Sequence, residues 1–358
     1  MIAAGSTRST RSEAGPSLAD RHARFVRRRV FLVAALAGVL SLSFLFDVAT
    51  GPSTFPLGDV VRGLFDPARL PAAQAVILWD VRLPYATMAL LVGGALGLAG
   101  AEMQTALDNP LASPFTLGIS AAATLGAATA IAFDIDLFDL PQTYVIPLSA
   151  FVSATAAMIA IQVLARAYGA SVNAVVLFGI AIHFSLTALE WLVHFLVDAN
   201  ASQQIVFWTM GSLARATWDK IAVVAAVGLV CLPTAMHHAW AMNAMRGGDD
   251  HARSVGIDAQ RLRMIMLLRA SLLAATAVAF VGAIGFIGLL GPHIARLSLG
   301  EDHRFFLPGS ALSGALLLSL ASIASKAIVP GVLLPVGILT ALIGVPLFMA
   351  LVIGRRPR

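Results

Sequence analysis

Residues 285–304 read GFIGLLGPHIARLSLGEDHR, and two readings of them lead to different folds. Read as one site, His293 and His303 join Glu301 and Asp302 as metal or proton ligands buried in a membrane. Read in chain order, an apolar run is interrupted by Gly288, Gly291 and Pro292 and then leaves the membrane through Glu301–Arg304. The second reading is the stronger. The histidines stand ten positions apart and the second falls in the polar turn. The glycines and the proline read as helix breaks and close packing in a short span.

Composition agrees with a chain that crosses lipid many times. Of its 358 residues 58% are hydrophobic and 12% charged, against about 25% charged in soluble domains. A span takes about 20 apolar residues. Ten can be drawn, at about 30–48, 83–106, 115–133, 144–166, 174–197, 219–240, 262–283, 285–299, 307–327 and 336–354. The fold class expected is therefore an all-α integral membrane protein. Residues 1–28 read as a disordered cytoplasmic tail and 29–356 as the ten-helix membrane domain. The run 30–46 follows three arginines but is long for a signal peptide and lacks a small-x-small site, so it reads as an uncleaved first span.

The net charge of +5 does not form a nucleic-acid patch. Basic residues gather at Arg21–Arg29, at 246–263 and at Arg355, Arg356 and Arg358. With both termini inside, most of the 24 Lys and Arg residues fall in cytoplasmic segments, as topology requires. Arg62, Arg69, Arg82, Arg215, Lys220 and Lys326 are placed outside, and Arg269 within a span. Cys231 is alone, so no intrachain disulfide can form.

Chemistry is sparse. No glycine-rich loop ends in Lys-Ser or Lys-Thr, and no His-Glu-x-x-His occurs, so neither a Walker-type nucleotide site nor a zinc protease is expected. Catalytic residues, resident metal and cofactor are all expected to be absent. Ionisable residues inside spans are functional candidates by default, and here they are Glu102, His183, Glu190, His194 and Arg269. Glu190 and His194, four apart, can meet on one helix face. A relay or metal pair there competes with a locally satisfied pair, favoured by the polar Asp198 and Asn200 that follow. Glu102 reads as a packed or protonated carboxyl, and Arg269 as a side chain reaching back to the cytoplasmic interface.

Three further stretches carry structural information. Gly93, Gly97 and Ala101 lie four apart on one face of the second span, a spacing that lets backbones approach closely inside a bundle. GDVVRGLFD (58–66) reads as a short interfacial helix with Val60, Val61, Leu64 and Phe65 on one side. In 200–218, Trp208 and Trp218 suit an interface belt. The polar segment 246–263 predicts a short helix over Asp249–Val255, opened by Gly248 and closed by Gly256, of a kind that a soluble partner can grip.

Five ordered motifs then resemble one family. They are VRLPYATMALLVGGALGLAGAEMQTALDNPLASPFTLGIS (81–120), FWTMGSLARATW (207–218), DDHARSVGIDAQRLR (249–263), GAIGFIGLLGPHIARLSLGEDHRFFLPGSALSGA (282–315) and LPVGILTALIGVP (334–346). Together they are similar to permease subunits of binding-protein-dependent ABC importers for iron–siderophore, heme and cobalamin. The resemblance covers about 30–354. It implies a ten-helix permease of the cobalamin-importer type in a bacterial inner membrane, not itself an enzyme. Implied partners are two ATPase copies, a periplasmic binding protein and a second permease chain, identical or related, in membrane lipid and without nucleic acid.

Residue roles follow from the same resemblance. Asp249, Asp250, Arg253, Val255 and Gly256 fall in the element that couples to the ATPase. Arg82 and Lys326 stand where basic residues meet the binding protein, while Tyr85 replaces a frequent second arginine and Leu334 a frequent glutamate. Leu111, Val172 and Asn173 stand at the cytoplasmic gate. NPLASPFTLGIS (109–120) is nearer to ferric-siderophore permeases than to those for heme or cobalamin. The rivals are a heme or cobalamin permease of the same family, an ion-coupled transporter using Glu102, Glu190 and His183, and a membrane enzyme with a His–Glu metal site.

Overall fold

The computed structural model describes residues 18–51, 56–136, 139–168, 171–329 and 331–353. Among these the chain forms fifteen α-helices and no strand. Helix α1 (Leu18–Ala49) is followed by the short α2 (Leu57–Phe65) and α3 (Ala72–Val76). A π-helical stretch, Ile77–Arg82, joins α3 to α4 (Leu83–Ala106). Next come α5 (Ile119–Ala132), α6 (Gln142–Ala167) and α7 (Val172–Leu196). A surface helix, α8 (Ala199–Thr209), leads to α9 (Trp218–His237); α10 (Ala239–Met245) and α11 (Asp249–Ser254) then lead to α12 (Ala259–Val281). Helices α13 (Ile287–Leu299), α14 (His303–Ala327) and α15 (Val336–Ile353) complete the described chain.

Each of the ten expected spans coincides with a helix. Seven helical stretches are long and apolar enough to cross a membrane, with α5 and the first fifteen residues of α15 as shorter apolar helices. Helix α1 begins earlier than composition suggests: residues 18–28, assigned to the tail, are its first turns. The rest of the expected tail lies outside the described residues.

Helix α4 is the axis of the bundle, packed on α14, α12 and α13. Its small residues explain how. A Cβ at Gly97 would overlap the Ser310 carbonyl, and one at Gly100 the Gly288 carbonyl. Neighbouring backbones therefore touch, and dispersion between them replaces the hydrophobic drive that lipid removes. The glycine face read from the sequence is spent inside the chain.

On α2, Val60 and Gly63 are buried, Gly63 against Leu70 and Leu78, while Val61 and Phe65 stay on the outside, Phe65 87% exposed. One expectation needs correction. Trp208 is buried in the core under Arg215, whose guanidinium carbon is 5.8 Å from the ring centroid. Of these two tryptophans only Trp218 is exposed, its Nε1 donating to the Trp79 carbonyl at 3.0 Å.

Hydrogen bonds and ion pairs identify the two ends. The Trp218–Trp79 bond brings the starts of α9 and α4 to one end, called here the α2 end. Arg246 pairs with Glu301 at the other, called the α11 end.

Candidate functional site

The α11 end carries most of the expected site residues. Helix α11 covers Asp249–Ser254, one residue short of the expected helix, with Val255 as its C-cap and Gly248 at φ +92° and Gly256 at φ +83° on either side. Such φ values suit glycine and strain other residues. Asp250 and Arg253 form an exposed pair at 3.2 Å, and Val255 is 44% exposed. Ala252 is buried, so α11 is anchored on one side and presents Asp250, Arg253 and Val255 on the other. Asp249 behaves differently. It accepts from Arg263 Nη2 at 2.8 Å, and Arg263 Nε donates to the Ala106 carbonyl at 2.8 Å.

The expected gate residues lie nearby. Val172 and Asn173, at the start of α7, line an open cavity of about 600 Å³ with Leu107, Asp108 and Asn109. Leu111 is not among its lining residues but follows in the same loop, 50% exposed. Its N–H donates to Asn109 Oδ1 at 2.9 Å, a local bond that shapes the turn. Ser113 and Thr116 brace the rest of the loop through N–H to Oγ1 and Oγ1–H to carbonyl bonds of 3.0 and 2.9 Å.

A polar corner missing from the sequence reading joins these parts. Asn243 Nδ2 donates to Asp302 Oδ1 at 3.1 Å, and Asn243 Oδ1 accepts from the His303 N–H at 2.9 Å. The His303 ring lies between Asn243 Oδ1, 2.7 Å from Nδ1, and Thr105 Oγ1, 2.8 Å from Nε2. Arg29 lies 3.5 Å from Asp302, and Arg296 lies 3.5 Å from Glu301. The Arg304 guanidinium, hydrogen-bonded to Asp302, holds its carboxyl well below the usual carboxylate range. His293 and His303 do not share a site; the second is committed to Asn243 and Thr105.

Within the spans, charges are paired across helices. Arg269 does not reach back to the interface. Its Nε lies 2.7 and 2.9 Å from the two Glu102 oxygens, and its Nη2 also donates to Oε1. Both side chains are buried, so α12 and α4 are tied by a forked ion pair. One signal was available: Glu102 is the one charged residue of its span, and Arg269 lies deeper in its span than Arg263. His194 Nδ1 meets Ser202 Oγ at 2.9 Å, which places its polar partner on α8 rather than one turn back at Glu190.

Near the α2 end, Arg82 and Lys326 are expected as exposed charges, and the structure buries both. Arg82 is 5% exposed and Lys326 7%. Arg82 Nη1 donates to the carbonyls of Val48 and Ala49 at 3.2 and 2.7 Å, capping the end of α1. Lys326 pairs with Asp47, which also accepts from Ser322 Oγ at 2.6 Å. Tyr85 contributes its hydroxyl to Ser325 Oγ at 3.2 Å. Asp47 is the residue that sequence reasoning passed over, lying near the end of the first span.

Comparison with known proteins gives a consistent set of relatives. The model of the FecCD transport family matches residues 39–354. An Fe(3+)-citrate import permease of Bacillus subtilis is 35% identical, over 91% of this chain and 95% of its own. A hemin transport permease of Yersinia pestis is 35% identical, over 78% and 84%. A cobalamin import permease of Halobacterium salinarum is also 35% identical, over 81% and 76%. Among solved structures, a metal-chelate type ABC transporter in an inward-facing conformation superposes with TM-score 0.79 at 27% identity. That match covers 90% of this chain and 99% of the other.

Proposed function

The chain belongs to the FecCD transport family and is a multi-pass ABC importer permease, and from that premise we propose that it imports a ferric siderophore-type chelate. Relatives named for iron citrate, hemin and cobalamin support a bulky metal chelate as cargo. The resemblance of residues 109–120 to ferric-siderophore permeases supports the narrower choice.

The observation that carries the reading is the arrangement of the α11 end. An anchored short helix offers Asp250, Arg253 and Val255 outward, and the cavity lined by Asn109, Val172 and Asn173 opens on the same end. We take this end as cytoplasmic, with both termini on that side. Two ATPase copies grip α11 and Gly256, and a second permease chain closes the cavity from its open side. The chelate arrives already coordinated, so the path needs width and a smooth lining rather than ligands. ATP binding and hydrolysis in the partner chains alternate access by moving α11 against the bundle, with Leu111, Val172 and Asn173 as the inner constriction.

The binding protein docks on the α2 end. Arg82 and Lys326 support that surface from beneath, by holding the end of α1 onto α4 and α14, rather than by offering free charge. An ion-coupled mechanism through Glu102 is disfavoured because that carboxylate is already engaged with Arg269.

The test is uptake by the permease reconstituted in vesicles with its ATPase and binding protein. ATP-dependent uptake of a ferric siderophore, exceeding that of hemin and cobalamin, is expected. Preferential uptake of hemin or cobalamin refutes the cargo, and uptake without the ATPase refutes the mechanism. A Val255→Glu variant should hydrolyse ATP without importing cargo; unimpaired uptake would remove α11 from the coupling role.

A further inference from the structure

We propose that Arg263 and His303 are positioning residues, the middle members of two hydrogen-bond struts that carry motion of the α11 segment to the last turn of α4. The proposal rests on the reading of α11 as the ATPase contact and identifies how that contact reaches the gate. The two struts start on opposite sides of the same loop and end on consecutive residues. One runs from Asp249, through Arg263, to the Ala106 carbonyl. The other runs from Asn243, through His303, to Thr105. Directly beyond them, Leu107, Asp108 and Asn109 line the open cavity with Val172 and Asn173.

Three features make these bonds a transmission rather than ordinary packing. First, neither α10 nor α11 has substantial contact with α4; α11 reaches it through α12, and α10 through α12 and α14, and the struts are the directional polar part of that route. Second, their geometry is directional. Asn243 is fixed by its two opposite bonds: Nδ2 donates to Asp302 and Oδ1 accepts the His303 N–H. Its Oδ1 therefore accepts from Nδ1–H of the ring at 2.7 Å, which sets the proton on Nδ1 in the neutral imidazole. Nε2 lies 2.8 Å from Thr105 Oγ1, whose single proton is shared between that nitrogen and the Ala101 carbonyl, also at 2.8 Å. The Nδ1–H bond to Asn243 fixes the ring, which cannot turn without breaking it. Third, Arg263 is buried and divides its donors between a carboxylate on α11 and a carbonyl on α4. The planar fork makes both bonds at once, which a lysine ammonium cannot reproduce in that geometry.

A pathway claim requires an energetic test rather than proximity. The assembled complex with ATPase and binding protein, reconstituted in vesicles, would carry spin labels at Leu111→Cys and Asn173→Cys in a Cys231→Ser background. Label distances are compared without nucleotide and with ATP plus vanadate, alongside ferric siderophore imported per ATP hydrolysed. The unmodified struts should show a nucleotide-dependent change in distance. In the double variant Arg263→Lys with His303→Gln that change should vanish, and import per ATP should fall by about fivefold or more, with ATPase assembly retained. Thr105→Val cuts the second strut from the α4 side and should reproduce part of the loss if His303→Gln fails to assemble. A double variant whose gate responds as before overturns the struts while leaving the transport reading intact. A gate that ignores nucleotide even with both struts present overturns the coupling reading, and the struts with it.

Discussion

Removing one half of the Glu102–Arg269 pair should be far more damaging than removing both. The two side chains lie inside the bundle, in a forked contact with Nε 2.7 and 2.9 Å from the carboxylate oxygens. Glu102→Leu leaves a buried guanidinium without its counter-charge, and Arg269→Met leaves the carboxylate. Each single change should cost about 3–5 kcal/mol. At about 1.4 kcal/mol per factor of ten, that lowers the folding equilibrium constant more than a hundredfold. The double variant exchanges the pair for two apolar side chains in a mostly apolar setting. It should recover most of the loss, because a buried ion pair and a packed apolar pair of similar volume are about equal in stability. The measurement is a double-mutant cycle by reversible unfolding of the purified permease in mixed detergent micelles. Additive single costs would refute the reasoning, as would single variants within about 1 kcal/mol of the parent, since buried charges without partners cannot be that cheap.

Three further outcomes follow from other contacts. Gly100→Ala should sharply reduce the yield of monodisperse protein, because its Cβ meets the Gly288 backbone carbonyl. Gly94→Ala should be tolerated, since its nearest neighbour is the Ala311 carbonyl at 3.6 Å; size-exclusion profiles and melting points of the two compare them directly. Lys326→Glu should destabilise the fold by placing a carboxylate against Asp47, and the exchange Asp47→Lys with Lys326→Asp should restore part of the melting temperature; equal melting points for the single variant and the parent would argue against the pairing. Asp302, held low by Arg304, stabilises the α11 end fully above the ordinary carboxylate range and loses that contribution progressively as pH falls from that range to its lowered value. Melting should therefore show no Asp302-dependent change between about pH 5 and pH 8, and the difference between the parent and Asp302→Asn should narrow steadily below about pH 5.

What could be read from the sequence was what is local along the chain. Ten apolar runs announce ten helices because each span must satisfy its own backbone. Gly248 and Gly256 announce the ends of α11 because their positive φ values belong to the chain immediately around them. The side chains facing each other were hidden because their partners are distant in sequence. Glu102 meets Arg269 across 167 positions, and Asp47 meets Lys326 across 279. A single chain offers no rule for matching such charges beyond their sign and their depth in the bilayer. Sign would have matched Glu102 with a basic residue of another span, but depth would not have chosen Arg269, which lies at the middle of α12 while Glu102 lies near the end of α4. Neither would have shown that Arg82 turns toward the end of α1, because that depends on free carbonyls at Val48 and Ala49 rather than on charge.

The distribution of these polar ties divides the bundle mechanically. Inside lipid, apolar contacts gain nothing over contact with acyl chains, so helices are held where backbones touch or polar groups pair. Helix α4 has both kinds of tie: close backbone approach to α13 and α14, the Arg269 pair to α12, and the Thr105 and Ala106 struts at its end. Helix α7 has fewer such ties and no buried ion pair among the described residues. Its buried residues are Val175, Gly179 and Val193, its backbone at His183 lies against Gly118, Gly179 meets both side chain and backbone of Leu117, and His194 reaches Ser202 on α8. The cavity at the α11 end thus lies between a helix tied by an ion pair and glycine contacts and one with fewer ties. On the proposed coupling, force delivered to the last turn of α4 should therefore displace the Asn109–Asn173 side, and the label distance between positions 111 and 173 measures it. Such a difference in ties is the mechanical condition for a short surface helix to open a path between spans without unfolding either.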